Sequence, residues 1–186
     1  MKATGIVRRI DDLGRIVIPK EIRRTLRIGE GDPLEIFTDR DGKIMLQKYS
    51  SISELSDFAE ACAESLSQHS GHITCIVDKD RVIAISGGPR KEFYDKTISL
   101  ALGKVINGRN EMTASRKDAS FVPILDDDEY AASSYSNELI APIKAQGDVF
   151  GAVIFLSPNK KMDKLDAVLA QTAADLLGKH AAFGLV

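Results

Sequence analysis

Cysteine, histidine and long apolar runs are all scarce in this sequence of 186 residues, and each shortage excludes a class of protein. The two cysteines and three histidines have no metal-ligand spacing, so no metal site is expected. Cys62 and Cys75 fall at apolar positions of a predicted helix and a predicted strand, which favours small buried side chains over a disulfide. The longest apolar runs, such as residues 150–156, are too short to cross a membrane, and the first residues contain no signal-peptide core. We therefore expect a cytoplasmic protein that does not enter a membrane.

Catalytic motifs are also missing. The sequence contains no nucleophile elbow, no paired cysteine and histidine, and no phosphate-binding loop with its lysine. We therefore expect neither an enzyme nor a bound cofactor.

Charge is distributed unevenly along the chain. The net charge is −2, yet residues 1–50 carry 11 basic against 8 acidic side chains, and the acidic excess lies in the remainder. A surface that binds nucleic acid needs positive charge only locally. The negative net charge of the whole chain therefore does not exclude such a surface. The change of sign predicts two domains with different partners, residues 1–50 and residues 56–186, joined by a linker at 51–55.

The first domain reads as four short strands around one helix. Pro19 suits the first turn of that helix, and a turn at 39–42 joins the last two strands. The predicted strands are 4–10, 15–18, 32–38 and 43–48, and the predicted helix is 20–26. Fifty residues of this kind bury little core alone, so we expect an intertwined dimer.

The second domain reads as a sheet covered by helices, which makes the chain α+β. The predicted strands are 72–77, 81–86, 138–145 and 148–157, and the predicted helices are 51–68, 90–107 and 162–182. The apolar stripes of the first and last helices serve equally well for packing on their own domain or on another subunit. That choice stays open from the residues alone.

Arginines are the chemically informative side chains of the first domain. With Ile22 and Leu26 facing the core, Arg24 points away from it, and Arg23 and Arg27 flank Arg24. Arg15 follows the glycine of the first turn, while Arg8 and Arg9 are strand neighbours that regular geometry sends to opposite faces. Guanidinium groups match phosphate oxygens and the guanine edge, so this cluster indicates DNA binding.

Residues 4–10 (TGIVRRI), 12–19 (DLGRIVIP) and 21–26 (EIRRTL) resemble the DNA-binding domain of the AbrB family. The resemblance implies a swapped-hairpin barrel in which two chains interleave their strands. It also implies that Arg8, Arg15, Arg23 and Arg24 face double-stranded DNA, with Arg9 and Lys2 as supporting phosphate contacts. The two-domain layout is similar to family members that regulate sporulation in endospore-forming bacteria, which implies control of sporulation genes, forespore genes among them.

The remainder of the chain is similar to a GAF domain, on strand order and on the final strand pair with Pro142, Gly147 and Gly151. The cyclic-nucleotide signature is not completed after Asn159, and no chromophore-attachment cysteine is evident. A small-molecule ligand therefore stays unidentified. GAF terminal helices build subunit interfaces in related proteins, which implies a homodimer or homotetramer.

Two alternatives to a transcriptional regulator remain. Related swapped-hairpin folds act as antitoxins through an extended C-terminal tail, whereas this C-terminal part has folded periodicity. A ligand sensor that acts through protein contacts is the other. For a regulator, Thr4, Gly5 and Gln47 offer little base-edge chemistry, so DNA shape is expected to contribute to selectivity.

Overall fold

The computed structural model describes residues 5–50, 52, 55–126 and 135–183. The chain divides into two compact units, Met1–Tyr49 and Ser50–Val186.

The first unit contains one helix and one hairpin. Helix α1 spans Lys20–Thr25, and strands β1 (Leu34–Thr38) and β2 (Ile44–Lys48) pair antiparallel with Ile36 opposite Leu46. The Asp39 carboxylate accepts hydrogen bonds from the backbone N–H groups of Asp41 and Lys43, at 3.0 and 2.8 Å. These contacts fix the turn, so the predicted second hairpin is confirmed.

The two strands predicted at 4–10 and 15–18 are wrong for the single chain. Residues 5–18 form no strand within it, because a strand requires a ladder of hydrogen bonds to a neighbouring strand, whereas the backbone bonds of Asp11 and Gly14 only close the turn. The apolar side chains that those strands would bury are exposed, Val7 by 85% and Val17 by 72%. The observed order in this unit is α-β-β, and neither closure of a barrel nor a swap of hairpins is seen in the isolated chain.

The second unit is a five-stranded antiparallel sheet with helices on both faces. Its elements are α2 (Ser56–Ser70), β3 (Ile73–Val77), β4 (Val82–Ser86), α3 (Arg90–Phe93), α4 (Leu100–Asn107), β5 (Met112–Ser115), β6 (Asn137–Ala145), β7 (Asp148–Ser157) and α5 (Lys164–Phe183). The strand order is β4-β3-β7-β6-β5. The class is α+β, as expected from the sequence.

Strand alternation divides the core into two layers. Leu139, Ala141 and Ile143 of β6 pack with α2 and α5 on one face, whereas Ile140 packs with α3, α4 and residues 121–125 on the other. The β6–β7 hairpin turns at Gln146 and Gly147, both with positive φ, as its predicted turn requires. Both faces of the sheet are therefore covered.

The helix predicted over 90–107 is two helices. Asp95 has a φ of +60°, and Thr97 bridges to Arg81 instead of continuing a helix. Helix α4 then begins after Ser99, whose Oγ accepts the N–H of Leu102 at 2.9 Å. Sheet pairing overrides helix periodicity in this segment.

The helix predicted over 51–68 is observed as α2 from Ser56, and residues 51, 53 and 54 lie outside the described residues. Strand β5 was not expected, because its alternation of Met112 and Ala114 with two polar residues extends over only four positions. In the part of the chain that the structure describes, no helix is both long and apolar enough to cross a membrane.

Candidate nucleic-acid interface

Asp11 organises the turn that presents Arg15. Its Oδ1 accepts the backbone N–H groups of Leu13 and Arg15 at 3.0 and 2.8 Å, and its Oδ2 accepts Arg15 Nε at 2.8 Å. Gly14 has a φ of +77°, which a side chain would oppose. The hydrogen bonds from Arg15, backbone first and side chain second, lower the pKa of Asp11. Arg15 is thus held at the tip of the turn while its guanidinium stays largely exposed.

Helix α1 carries two of the predicted site residues. Pro19 precedes it with extended backbone, and its carbonyl accepts the N–H of Arg23 at 3.0 Å. Arg23 and Arg24 both lie in the last turn and are exposed. Cations are favourable at this end of a helix, because its carbonyl groups carry the negative pole of the dipole.

Arg27 does not extend this helical face as expected. The helix ends at Thr25, Arg27 takes a left-handed conformation with a φ of +52°, and the N–H of Ile28 donates to the Arg23 carbonyl at 2.7 Å. Arg27 is half-buried, and its carbonyl accepts Lys48 Nζ at 2.9 Å. Leu26, expected in the core, is exposed in the single chain.

Arg8 and Arg9 are exposed in the extended segment before the turn, where Arg8 Nη1 donates to the neighbouring Val7 carbonyl at 3.2 Å. The expectation that they point to opposite faces depended on a strand that the single chain does not form. Lys2 and Thr4 lie outside the described residues.

The arginines of the two units differ in their ionic partners. Among the described residues, none forms an ion pair with Arg8, Arg9, Arg23 or Arg24, whereas Arg15 pairs with Asp11. In the second unit, Arg81 pairs with Asp95 at 2.8 Å and Arg90 with Glu60 at 2.6 Å. Within the described residues, the charges of Arg8, Arg9, Arg23 and Arg24 are therefore available to an external anion.

Two buried polar groups of the second unit were missed by the sequence reasoning. Glu138, in β6, accepts the N–H of Val122 at 2.9 Å through Oε1, and burial raises its pKa to about 7 against the opposing effects of that bond and of Arg116. His72 Nε2 lies 3.0 Å from Asp166 Oδ2, with both side chains buried. An acidic residue at the first position of the predicted strand 138–145, followed by five apolar residues, was the available signal for Glu138.

Among the described residues, no three histidine, cysteine or acidic side chains cluster as metal ligands. Cys75 is buried in the core, Cys62 is half-buried, and both are free thiols.

Family models match both parts of the chain. The model described as "Stage V sporulation protein T C-terminal, transcription factor" matches residues 54–182. The model described as "Antidote-toxin recognition MazE, bacterial antitoxin" matches residues 7–54.

Known relatives cover the whole chain or its first part. Stage V sporulation protein T of Bacillus subtilis (strain 168) is 49% identical over 180 residues, covering 97% of this chain and 98% of that protein. Transition state regulatory protein AbrB of the same organism is 65% identical over 49 residues, covering 26% of this chain and 50% of that protein.

Among solved structures, a GAF domain from an Acinetobacter phosphoenolpyruvate-protein phosphotransferase superposes with a TM-score of 0.56. It is 13% identical and covers 72% of this chain and 89% of that one. At this identity the similarity establishes the fold of the second unit and nothing about its ligand.

Proposed function

Because the chain belongs to the stage V sporulation protein T family of transcription factors, we propose that residues 1–50 bind double-stranded DNA as a dimer. The contacts come from Arg8, Arg15, Arg23 and Arg24, with Arg9 and Lys2 adding phosphate contacts. The protein regulates sporulation genes and works in the cytoplasm. The observation that carries this proposal is that Arg8, Arg9, Arg23 and Arg24 are exposed and have no carboxylate partner among the described residues.

Electrostatics supports this assignment. A carboxylate partner offsets the charge of an arginine and occupies part of its N–H donors, as Asp11 occupies the Nε of Arg15, whereas an unpaired arginine gives up only solvent and counterions when it binds phosphate. Arg23 and Arg24 meet this condition on consecutive positions of α1. A guanidinium donates several hydrogen bonds in one plane, which suits both phosphate oxygens and the edge of guanine.

Dimerisation is supported by the apolar surface of the first unit. Exposed apolar side chains lie in residues 5–18, at the end of α1 and on both strands of the hairpin: Ile6, Val7, Ile10, Leu13, Ile16, Val17, Leu26, Ile36, Phe37, Ile44, Met45 and Leu46. A monomer of this size cannot keep so much apolar surface in water at low cost. A second copy supplies strand partners for residues 5–18 and covers these side chains together.

The test is a DNA titration of the full-length protein at several salt concentrations, comparing wild type with the Arg23→Ala/Arg24→Ala double variant. If a dimer places five arginines per chain on phosphates, the logarithmic salt slope approaches roughly −9. The double variant removes four of those contacts from the dimer, so its slope should be shallower by roughly 3 to 4. Its affinity should fall sharply at every salt concentration.

The control is Lys160→Ala/Lys161→Ala, which removes two neighbouring exposed positive charges from the second unit. This variant should bind DNA like wild type, and all three proteins should have the same oligomeric state. DNA binding that survives the loss of Arg23 and Arg24 contradicts the site, while equal losses in both variants indicate a general effect of net charge.

The second unit is proposed to assemble subunits and to sense a small molecule. Helix α5 buries one face on the sheet and exposes Leu165, Val168 and Leu176 on the other. These three positions fall within one narrow arc of the helix, which suits packing against a second copy. Two barrel dimers joined in this way form a homotetramer.

An antitoxin is the second candidate, because residues 7–54 match the antitoxin model. The described C-terminal part is a packed sheet-and-helix unit, whereas an antitoxin tail is extended before it meets its toxin. Co-purification of a stoichiometric partner protein whose release depends on residues 50–186 would favour the antitoxin. DNA binding by the purified homo-oligomer favours the regulator.

A further inference from the structure

Glu138 occupies an unusual position for a carboxylate. It pairs with Ala114 of β5 and Leu156 of β7, and strand alternation puts it on the same face of the sheet as Ile140. That face is lined by apolar residues of α3, α4 and the segment 121–125. The Glu138 side chain is fully buried there.

Only one oxygen of this carboxylate has a partner among the described residues. Oε1 accepts the N–H of Val122 at 2.9 Å, whereas Oε2 is buried and accepts nothing from them. Leaving a buried acceptor unsatisfied costs free energy, and leaving an ionised one unsatisfied costs more. A glutamine would satisfy Val122 equally well without any ionisable group, so the hydrogen bond to Val122 does not explain why a glutamate is present.

Arg116 does not neutralise Glu138 through a direct contact. Its Nη2 donates to the Tyr135 carbonyl, and its guanidinium lies 5.2 Å from the centre of the Phe121 ring. The Phe121 and Tyr135 rings are themselves 5.8 Å apart, in a tilted arrangement. Arg116 thus acts on Glu138 only through its field, while the two rings show that a cation is well accommodated beside this carboxylate.

The segment 121–125 covers Glu138 and is held in place by several hydrogen bonds. Val122 is held by the Glu138 carboxylate, Ile124 donates to the Tyr135 hydroxyl at 3.3 Å, and the Ile124 carbonyl accepts the N–H of Ser99 at 2.9 Å. Breaking the first of these bonds frees Val122 from the Glu138 carboxylate. Residues 121 and 122 are only half-buried, so this end of the cover borders solvent.

We propose that Glu138 Oε2 is the acceptor of a small-molecule site on this face of the second unit, and that the site takes a compact apolar cation bearing N–H donors, such as an alkylammonium or amidinium. The N–H group satisfies Oε2, and the positive charge pairs with the buried carboxylate. The alkyl or aryl part contacts the surrounding apolar side chains and the Phe121 ring. The inference rests on the sensing role proposed for the second unit and is independent of DNA binding by the first.

The experiment measures thermal unfolding of the full-length protein with n-butylammonium or benzamidinium. Potassium chloride and n-butyltrimethylammonium at the same ionic strength are the controls, because the latter has the charge and alkyl chain without an N–H donor. The two N–H cations should raise the Tm of wild type in a saturable manner. The quaternary ion and the salt should not.

The variant is Glu138→Gln, with the exposed Glu111→Gln as its matched control. Glu138→Gln should weaken the apparent affinity for both N–H cations by at least about tenfold, and Glu111→Gln should leave it unchanged. Equal stabilisation of wild type and Glu138→Gln overturns the proposal, as does equal stabilisation of wild type by the quaternary ion. The proposal is also overturned if neither N–H cation stabilises wild type. In that case solvent satisfies Oε2.

A second measurement serves where Glu138→Gln does not fold. The carboxyl carbon resonance of Glu138 is followed by NMR in wild type as a function of pH, with and without n-butylammonium. A bound cation favours the ionised carboxylate, so the titration should move to lower pH. A titration that the amine does not move overturns the proposal, and DNA binding measured on the same samples shows that the arginine surface is intact.

Discussion

Two carboxylates show how the environment of a residue decides its chemistry. Asp11 is exposed and accepts three hydrogen bonds, which lower its pKa. Glu138 is buried with one bond to Val122, and burial raises its pKa to about 7. The same functional group is therefore a fixed anion in the first unit and a titrating group near neutral pH in the second.

Glu138 predicts a pH dependence of stability. Its pKa is about 7 in the folded protein against an ordinary value of 4.5, so the folded state binds the proton more tightly than the unfolded state. Its contribution to the free energy of unfolding is fully present below about pH 4.5 and is lost as the pH rises to about 7. Thermal melts across this range should show this decline in wild type and a flatter profile in Glu138→Gln. An identical profile in both proteins would contradict the assignment.

Asp11 predicts a contrast between two substitutions. Asp11→Asn keeps an oxygen that can accept the Leu13 and Arg15 N–H groups and removes a negative charge, so DNA affinity should be equal to wild type or higher. Asp11→Ala removes the same charge but also the acceptor that holds the turn. Its affinity should be severalfold lower than that of Asp11→Asn, by fluorescence anisotropy on one duplex. Equal affinities would mean that the turn does not position Arg15.

At the scale of elements, close backbone approach decides where a glycine is required. A Cβ added to Gly178 of α5 would lie 2.5 Å from the Lys144 carbonyl oxygen of β6, whereas a Cβ added to Gly103 of α4 would meet nothing within 4 Å. Gly178 therefore sets the distance between α5 and the sheet. Gly103 lowers the helix propensity of α4, and no close neighbour requires a glycine at that position.

These two glycines predict opposite effects of the same substitution. Gly178→Ala pushes α5 away from β6 and should lower the free energy of unfolding by roughly 1–3 kcal/mol. Gly103→Ala improves helix propensity and should raise it by roughly 0.5–1 kcal/mol. Chemical denaturation of the two variants and wild type measures both changes. A neutral Gly178→Ala would show that α5 shifts freely on the sheet.

At the scale of the whole molecule, the exposed stripe of α5 predicts the assembly. Val168→Glu with Leu176→Glu puts two charges on this stripe and should convert a tetramer to dimers, as measured by light scattering. DNA binding by each dimer should remain, because the arginines lie in the other unit. Lys104→Glu makes the same total change of charge on α4, which packs on the other face of the sheet, and should keep the wild-type mass. A wild-type mass in the double variant would exclude α5 as the interface.

The sequence alone determined the α+β class, the family of the first fifty residues and most elements of the second unit. Those elements follow from local periodicity and turn chemistry, as in the hairpin of β6 and β7 with its turn at Gln146 and Gly147. The identity of the arginines and the charge difference between the two parts were also readable from composition.

Tertiary structure decided what depends on non-local partners. Residues 90–107 became two helices because Thr97 found a bridge to Arg81, and residues 5–18 formed no strand because one chain lacks their hydrogen-bonding neighbour. The unsatisfied oxygen of Glu138 became visible only once the sheet enclosed it. Periodicity reports the local preference of a segment, whereas strand pairing and the burial of a charge depend on residues far away in sequence or on another chain.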